Sequence, residues 1–148
     1  MAETIDELIK IKPFSLGFEE KRTRFMRHIS ESIKFHYQNC HDYQNYCKKK
    51  NFHPDNIVDI SNIPFLPMDI FKKMTLLSVP ESEIIKIVKS SATTSNIPST
   101  IHLDKKTANR QIISLNSILR DFIGEEKMNF IIIDNKKTLE TNNQNLSS

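Results

Sequence analysis

Apolar positions in the first half of the chain recur at helical spacing and are broken by turn residues. Over residues 4–12, Ile5, Leu8 and Ile9 mark one face of a short amphipathic helix that Pro13 stops. A stronger pattern follows Ser15 and Gly17. Phe18, Phe25, Met26, Ile29, Ile33 and Tyr37 share a face, while Glu19, Glu20, Lys21, Arg24 and Glu31 fall elsewhere. That pattern predicts a helix of about five turns. Asn39 or Asp42 is then placed to cap a second helix carrying Cys40, Tyr43, Tyr46 and Cys47 on one side. It ends on Lys48, Lys49 and Lys50, which suit the negative end of a helix dipole. Residues 51–67 are a connector with turns at Pro54-Asp55-Asn56 and Ser61-Asn62-Ile63-Pro64, and a short helical turn is expected around Ile57, Val58 and Ile60. Pro67 suits a first helical position, so residues 68–74 are expected to form a brief helix with Ile70 and Phe71 inward.

In the second half the pattern changes to short β-branched runs. Pro80-Glu81-Ser82 is a turn, and Ile84, Ile85, Ile87 and Val88 predict a strand. Residues 100–103 predict its return strand. Asp104 then caps a helix in which Ala108, Ile112, Leu115, Leu119 and Phe122 recur at 4-3-4-3 spacing, with Gly124 at its C-terminal cap. The continuous run Phe130-Ile131-Ile132-Ile133 reads as a buried, parallel strand ending at Asp134. Strand, strand, helix and buried strand put this half in the α/β class. The expected organisation is a helical segment over residues 1–74, an α/β segment over 75–134 and a polar, mobile tail over 135–148. A buried central strand needs more neighbours than these elements supply, so an incomplete domain is expected.

Between the two short strands lies the most polar stretch of the chain, Lys89-Ser90-Ser91-Ala92-Thr93-Thr94-Ser95-Asn96-Ile97-Pro98-Ser99. Its side chains compete for backbone hydrogen bonds and cannot bury themselves, so it is a loop. Composition alone makes it a polar connector. Hydroxyls and successive backbone N–H groups held between two strands also suit an anion, because they can converge on phosphate oxygens.

Composition narrows the classes of function. The 148 residues are 38% apolar and carry 21 basic against 18 acidic residues, a net charge of +3, with the signs mixed along the chain. Arg22, Arg24, Arg27 and the Lys48–Lys50 run are too few and too scattered for a nucleic-acid footprint, and are read as solvated helix surface. No apolar run approaches the length of a membrane span, and the acidic N-terminus lacks the basic start and apolar centre of a secretory signal, so a cytoplasmic location is expected. Cys40 and Cys47, seven residues apart on the predicted helix, would sit about 10 Å apart at 1.5 Å per residue, too far for a disulfide. His36, Cys40, His41 and Cys47 include no tight Cys-x-x-Cys pair, and no metal site is assigned to them. Only two glycines are present, few for an α/β domain.

Several segments together resemble a known family. Phe35-His36-Tyr37-Gln38-Asn39-Cys40 with Tyr43, Ile63-Pro64-Phe65-Leu66-Pro67 and Phe71-Lys72 look like the N-terminal region of LuxE-type acyl-protein synthetases. The likeness continues through Ser90 to Ser99, Ile101, Leu103-Asp104 and Ile131-Ile132-Ile133-Asp134, and covers most of the chain from about Phe14 onward. These enzymes are grouped with adenylate-forming ligases, which include aryl-CoA ligases of the phenylacetate type.

The resemblance implies an adenylate-forming-ligase-like mixed sheet with helices, and a two-step reaction. A fatty acid or other carboxylate is activated by ATP with magnesium, and the acyl group passes to a protein cysteine for delivery to a reductase partner. It also implies that the phosphate-binding positions are Ser90, Ser91, Ala92, Thr93, Thr94 and Ser95. The family normally has glycine where Ala92 and Ser95 stand, and a Cβ forced into left-handed geometry costs about 1–2 kcal/mol. The family's adenine pocket, acidic metal ligand, catalytic lysine and acyl-accepting cysteine lie further along than this chain runs, and Cys40 falls on a structural position. The chain alone is therefore expected not to turn over. Two other readings stand beside this one: a non-catalytic relative acting as an interaction module, and a fragment of an aryl-CoA ligase-type enzyme.

Overall fold

A computed structural model describes residues 3–90, 97–127, 129 and 131. The first helix, α1 (Ile5–Leu8), is a single turn fixed by a reciprocal cap: the Glu7 N–H donates to Thr4 Oγ1 at 3.2 Å, and the Thr4 N–H donates to Glu7 Oε2 at 2.7 Å. It is shorter than the predicted span over residues 4–12, because the amides of Lys10 and Ile11 bond three residues back and the chain tightens before Pro13.

Helix α2 (Phe18–Asn39) runs 22 residues, a turn longer than expected, and α3 (His41–Lys49) follows after one extended residue, Cys40. Neither Asn39 nor Asp42 caps α3. The Asn39 side-chain amide donates back to the Phe35 carbonyl at 2.7 Å, which leaves Cys40 at the corner. Buried Ile33, Cys40, Tyr43 and Cys47 form the core of this corner, and Ile29, Tyr37, Phe52, Ile57, Ile63, Leu66 and Leu76 pack around it. The connector wraps that core. It carries two 3-10 turns, Pro54–Asn56 and Ile60–Asn62, the second capped by Asp59. The single turn expected around Ile57, Val58 and Ile60 is not what forms: Ile57 packs inward while Val58 faces solvent at 86% exposure. Helix α4 (Ile70–Lys73) starts later than predicted, since the Ile70 and Phe71 amides bond to the Pro67 and Met68 carbonyls in tighter turns. Ile70 and Phe71 are half-buried, in the expected direction.

Strands β1 (Ile84–Lys89) and β2 (Thr100–Asp104) form an antiparallel pair with Lys86 opposite Leu103, Val88 opposite Ile101 and Lys89 opposite Thr100. Ile85 sits at an irregularity between Ile84 and Lys86. Among the described residues this two-stranded sheet is the only one. Of the buried strand predicted over residues 130–133 only Ile131 is described, and it is 91% exposed and in no strand; the rest, with the predicted tail over 135–148, lies outside the described residues.

Helix α5 (Lys105–Ile123) begins where predicted: Asp104 Oδ1 accepts the Thr107 N–H at 2.6 Å. Gly124, at φ 81°, follows it in a conformation that glycine adopts without a Cβ penalty. Its predicted inward stripe does not face inward. Ala108 is buried, but Ile112, Leu115, Leu119 and Phe122 are exposed. The helix is held by the two ends of that stripe and by polar positions on its other side. Ala108 lies close to the hairpin end, Arg110 pairs with Asp6 through two bonds of 2.7 and 2.8 Å, Asp121 lies 3.9 Å from Lys12, and Phe122 meets Phe14 edge-on.

Two predictions follow from this packing. Ile33→Ala should destabilise the fold by about 2–4 kcal/mol in urea unfolding, since it opens a cavity in the corner, whereas Leu115→Gln should stay within about 0.5 kcal/mol. The Thr107 amide holds the Asp104 carboxyl below the usual carboxylate range. Its folded pKa therefore lies below its unfolded one, so its contribution is present above the unfolded pKa and is lost as pH falls through the folded pKa. Asp104→Ala should cost about 1 kcal/mol at pH 7, and the gap between the two proteins should narrow in acid.

Candidate functional site

The strand pair is extended by one further rung at the base of the hydroxyl-rich loop. The Ser90 N–H donates to the Ser99 carbonyl at 3.0 Å, and the Ser99 N–H donates to Ser90 Oγ at 2.9 Å. Ser99 is buried, so this second bond satisfies an amide that water does not readily reach. Of the six predicted phosphate-binding residues, Ser90 is thus placed at the neck, its oxygen engaged in closing the loop and its hydroxyl proton left to donate. Ser91, Ala92, Thr93, Thr94 and Ser95 lie outside the described residues.

A cleft of about 600 Å³ opens between the helical corner and the sheet, its lining running along β2 from Ile101 to Asp104. Ile33, Phe71, Leu76, Leu77, Ile84 and Leu103 give it an apolar lining. Its polar residues include His36, Ser78, His102, Asp104, Thr107 and Gln111. His36 Nδ1 and Ser78 Oγ are hydrogen-bonded at 2.6 Å, and partial burial of the His36 ring holds its pKa below the ordinary imidazole value. Asp104, the one carboxylate on the lining, accepts from the Thr107 amide. A second concavity of about 720 Å³ lies between the N-terminal segment and α5, but Lys10, Lys12, Asn116, Arg120, Asp121 and Glu125 make it a polar surface groove. The apolar cleft is the one with the composition of a small-molecule site.

Sequence reasoning considered His36 only as a metal ligand and gave no signal for Ser78. The pair is separated by 42 residues and exists only because the segment after α4 folds back across α2. Both cysteines are free and buried, and Cys47 is fully so. They do not share a helix as predicted: Cys40 is at the corner and Cys47 within α3. Burial pushes the Cys47 thiol up, which disfavours the thiolate form. Among the described residues, no group of three or more His, Cys, Asp and Glu side chains converges as a metal site would require. Nor is any described helix long and apolar enough to cross a membrane.

Ser90→Ala tests the neck. It should cost about 1–2 kcal/mol by leaving the Ser99 amide unpaired, and should speed hydrogen exchange at Ser99 more than at Leu103.

The chain has recognisable relatives. It is 32% identical over 90 residues to a long-chain-fatty-acid–luciferin-component ligase of Photorhabdus luminescens, covering 60% of this chain and 77% of that one. The proteins of the same name from Vibrio harveyi and Aliivibrio fischeri are 30% and 31% identical over 113 and 122 residues, or 76% and 82% of this chain. Those matches span only 29% and 32% of the two relatives' own lengths. No solved structure matches. The family described as acyl-protein synthetase, LuxE, matches residues 1–148, and the chain belongs to that family.

Proposed function

We propose that this chain forms the N-terminal portion of an ATP-dependent synthetase that activates fatty acids and transfers the acyl group to a protein cysteine. The observation that carries this reading is the family match across residues 1–148. The names of the relatives, ligases of long-chain fatty acids, supply the substrate class. On this reading the described hairpin belongs to a larger mixed sheet of the adenylate-forming type, and residues 1–74 are its helical flank.

A carboxylate is a poor electrophile, so the reaction first turns one of its oxygens into part of a leaving group. A carboxylate oxygen attacks the α-phosphorus of ATP, the bond to the β-phosphate breaks, and pyrophosphate departs with the electron pair. A cysteine sulfur then attacks the acyl carbonyl carbon, and AMP leaves. In the first step charge shifts onto pyrophosphate, and preorganised donors aimed at it lower the barrier. Ser90 at the closed neck, with Ser91, Thr93 and Thr94 beyond it, supplies hydroxyl donors for that task. Magnesium ordinarily accompanies a nucleotide and is held largely by phosphates and water. The described residues offer it no acidic cluster, so no step here is assigned to it.

Pyrophosphate release provides the test. The chain is combined with a separately produced polypeptide carrying the part of the Vibrio harveyi ligase that the chain does not match, then given ATP and tetradecanoate. Release that requires the fatty acid and both polypeptides is expected, with none from the chain alone. Replacing Thr93 and Thr94 together by Ala should raise the KM for ATP at least about tenfold. Association of the two polypeptides without any release would favour the alternative, a non-catalytic interaction module. That alternative draws on Ala92 and Ser95 in place of glycine and on the exposed stripe of α5.

A further inference from the structure

We infer that the cleft between the α2–α3 corner and the hairpin binds the hydrocarbon chain of a fatty acid, with His36 and Ser78 holding its carboxyl group at the rim. This inference rests on the fatty-acid reading above for the class of ligand. The placement of the site comes from the cleft itself.

Its volume of about 600 Å³ falls within the range of small-molecule pockets, and its lining is mostly aliphatic and aromatic, with His102, Thr107 and Gln111 adding polar groups to His36, Ser78 and Asp104. A methylene chain gains about 0.8 kcal/mol per buried CH₂, so such a lining favours a long apolar tail over a polar metabolite. An amphiphile also needs a polar anchor where the cleft meets water. His36 and Ser78 stand there: Ser78 is half-buried, and the imidazole is only partly covered.

The hydrogen bond between them leaves one donor over in either arrangement. If Ser78 donates to Nδ1, the His36 Nε2–H remains. If Nδ1–H donates to Ser78, the hydroxyl proton remains and is polarised by the ring. Each arrangement presents a single N–H or O–H, suited to one carboxyl oxygen. The His36–Ser78 contact makes the anchor a hydrogen-bonding one, and the lowered imidazole pKa acts in the same direction. Asp104, on the lining where β2 meets α5, repels an ionised head group and so disfavours seating the carboxylate beside it.

The experiment titrates potassium dodecanoate into the isotopically labelled full chain without nucleotide, reading amide shifts by NMR. A parallel titration uses dodecyltrimethylammonium, which has the same tail and no hydrogen-bond acceptor. Saturable binding of dodecanoate with shifts at Ile33, Leu76, Leu77 and Leu103 is expected. Ser78→Ala and His36→Phe should each weaken dodecanoate at least about fivefold while leaving the ammonium within about twofold, which also shows that the variants are folded. Shifts confined to the outer stripe of α5, absence of saturation, or equal losses for both amphiphiles would overturn the assignment. Dodecanoate binding in the cleft without pyrophosphate release from the assembled polypeptides would overturn the synthetase reading alone. Release with an unperturbed cleft would overturn the cleft alone.

Discussion

Cys47 is the one side chain whose burial the helical half cannot lose without losing its shape. It has no exposed surface, and it sits where α3 turns back on α2, beside Tyr43 and Cys40. A thiol is small enough to let the two helices close at this corner, and it behaves as a hydrophobe when buried. Burial, with the neighbouring Cys47 thiol second, pushes the Tyr43 hydroxyl well above its ordinary pKa. Both groups are thus neutral, and the corner holds no charge. The connector then drapes Phe52, Ile57, Ile63, Leu66 and Leu76 over it, and the Tyr46 hydroxyl ties the same connector down through the Phe65 carbonyl at 2.6 Å. The apolar cleft is a consequence of this wrapping, since its walls are the outer side of the same layer.

The N-terminal segment does a different job, joining the first half of α2 to the C-terminal helix by charge. Glu3 pairs with Arg24 and Arg27 on α2, and Asp6 forms a two-point contact with Arg110 on α5. Burial raises the Glu3 carboxyl, but hydrogen bonds from Arg24 and His28 and the charges of both arginines bring it below its ordinary value. These pairs lie near water and are screened by salt, so they orient the segment more than they stabilise it.

Local chemistry was legible wherever one residue settles an element. Asp104 and Gly124 bound α5, and the β-branched run flanked by turns gave β1. The polar stretch after it was readable as a loop, and its closed neck agrees with that reading at Ser90 and Ser99. Elements decided by competition were not legible. Asn39 has cap chemistry, yet its amide found the Phe35 carbonyl within its own helix. The His36–Ser78 pair depends on the path of the segment after α4, whose Leu76, Leu77 and Val79 show no periodicity that would fix where it runs. Periodicity located the apolar stripe of α5 correctly but not its direction, because a 3.6-residue period says which residues share a face and nothing about which neighbour covers it.

That stripe has a physical consequence within the proposed synthetase. Ile112, Leu115, Leu119 and Phe122 repeat at the spacing of a packed helix seam, and they remain exposed while polar contacts to Asp6 and Lys12 hold the opposite flank. Exposed apolar residues scattered singly need no explanation, but an aligned row along a 19-residue helix is a contiguous surface. Ile85 and Ile87 leave a second apolar strip on the hairpin. The chain covers less than a third of the Vibrio harveyi and Aliivibrio fischeri ligases. Under the synthetase reading, these strips are the surfaces available to the rest of such a ligase. The cleft reaches the same helix, where Thr107 and Gln111 line it beside the helical corner.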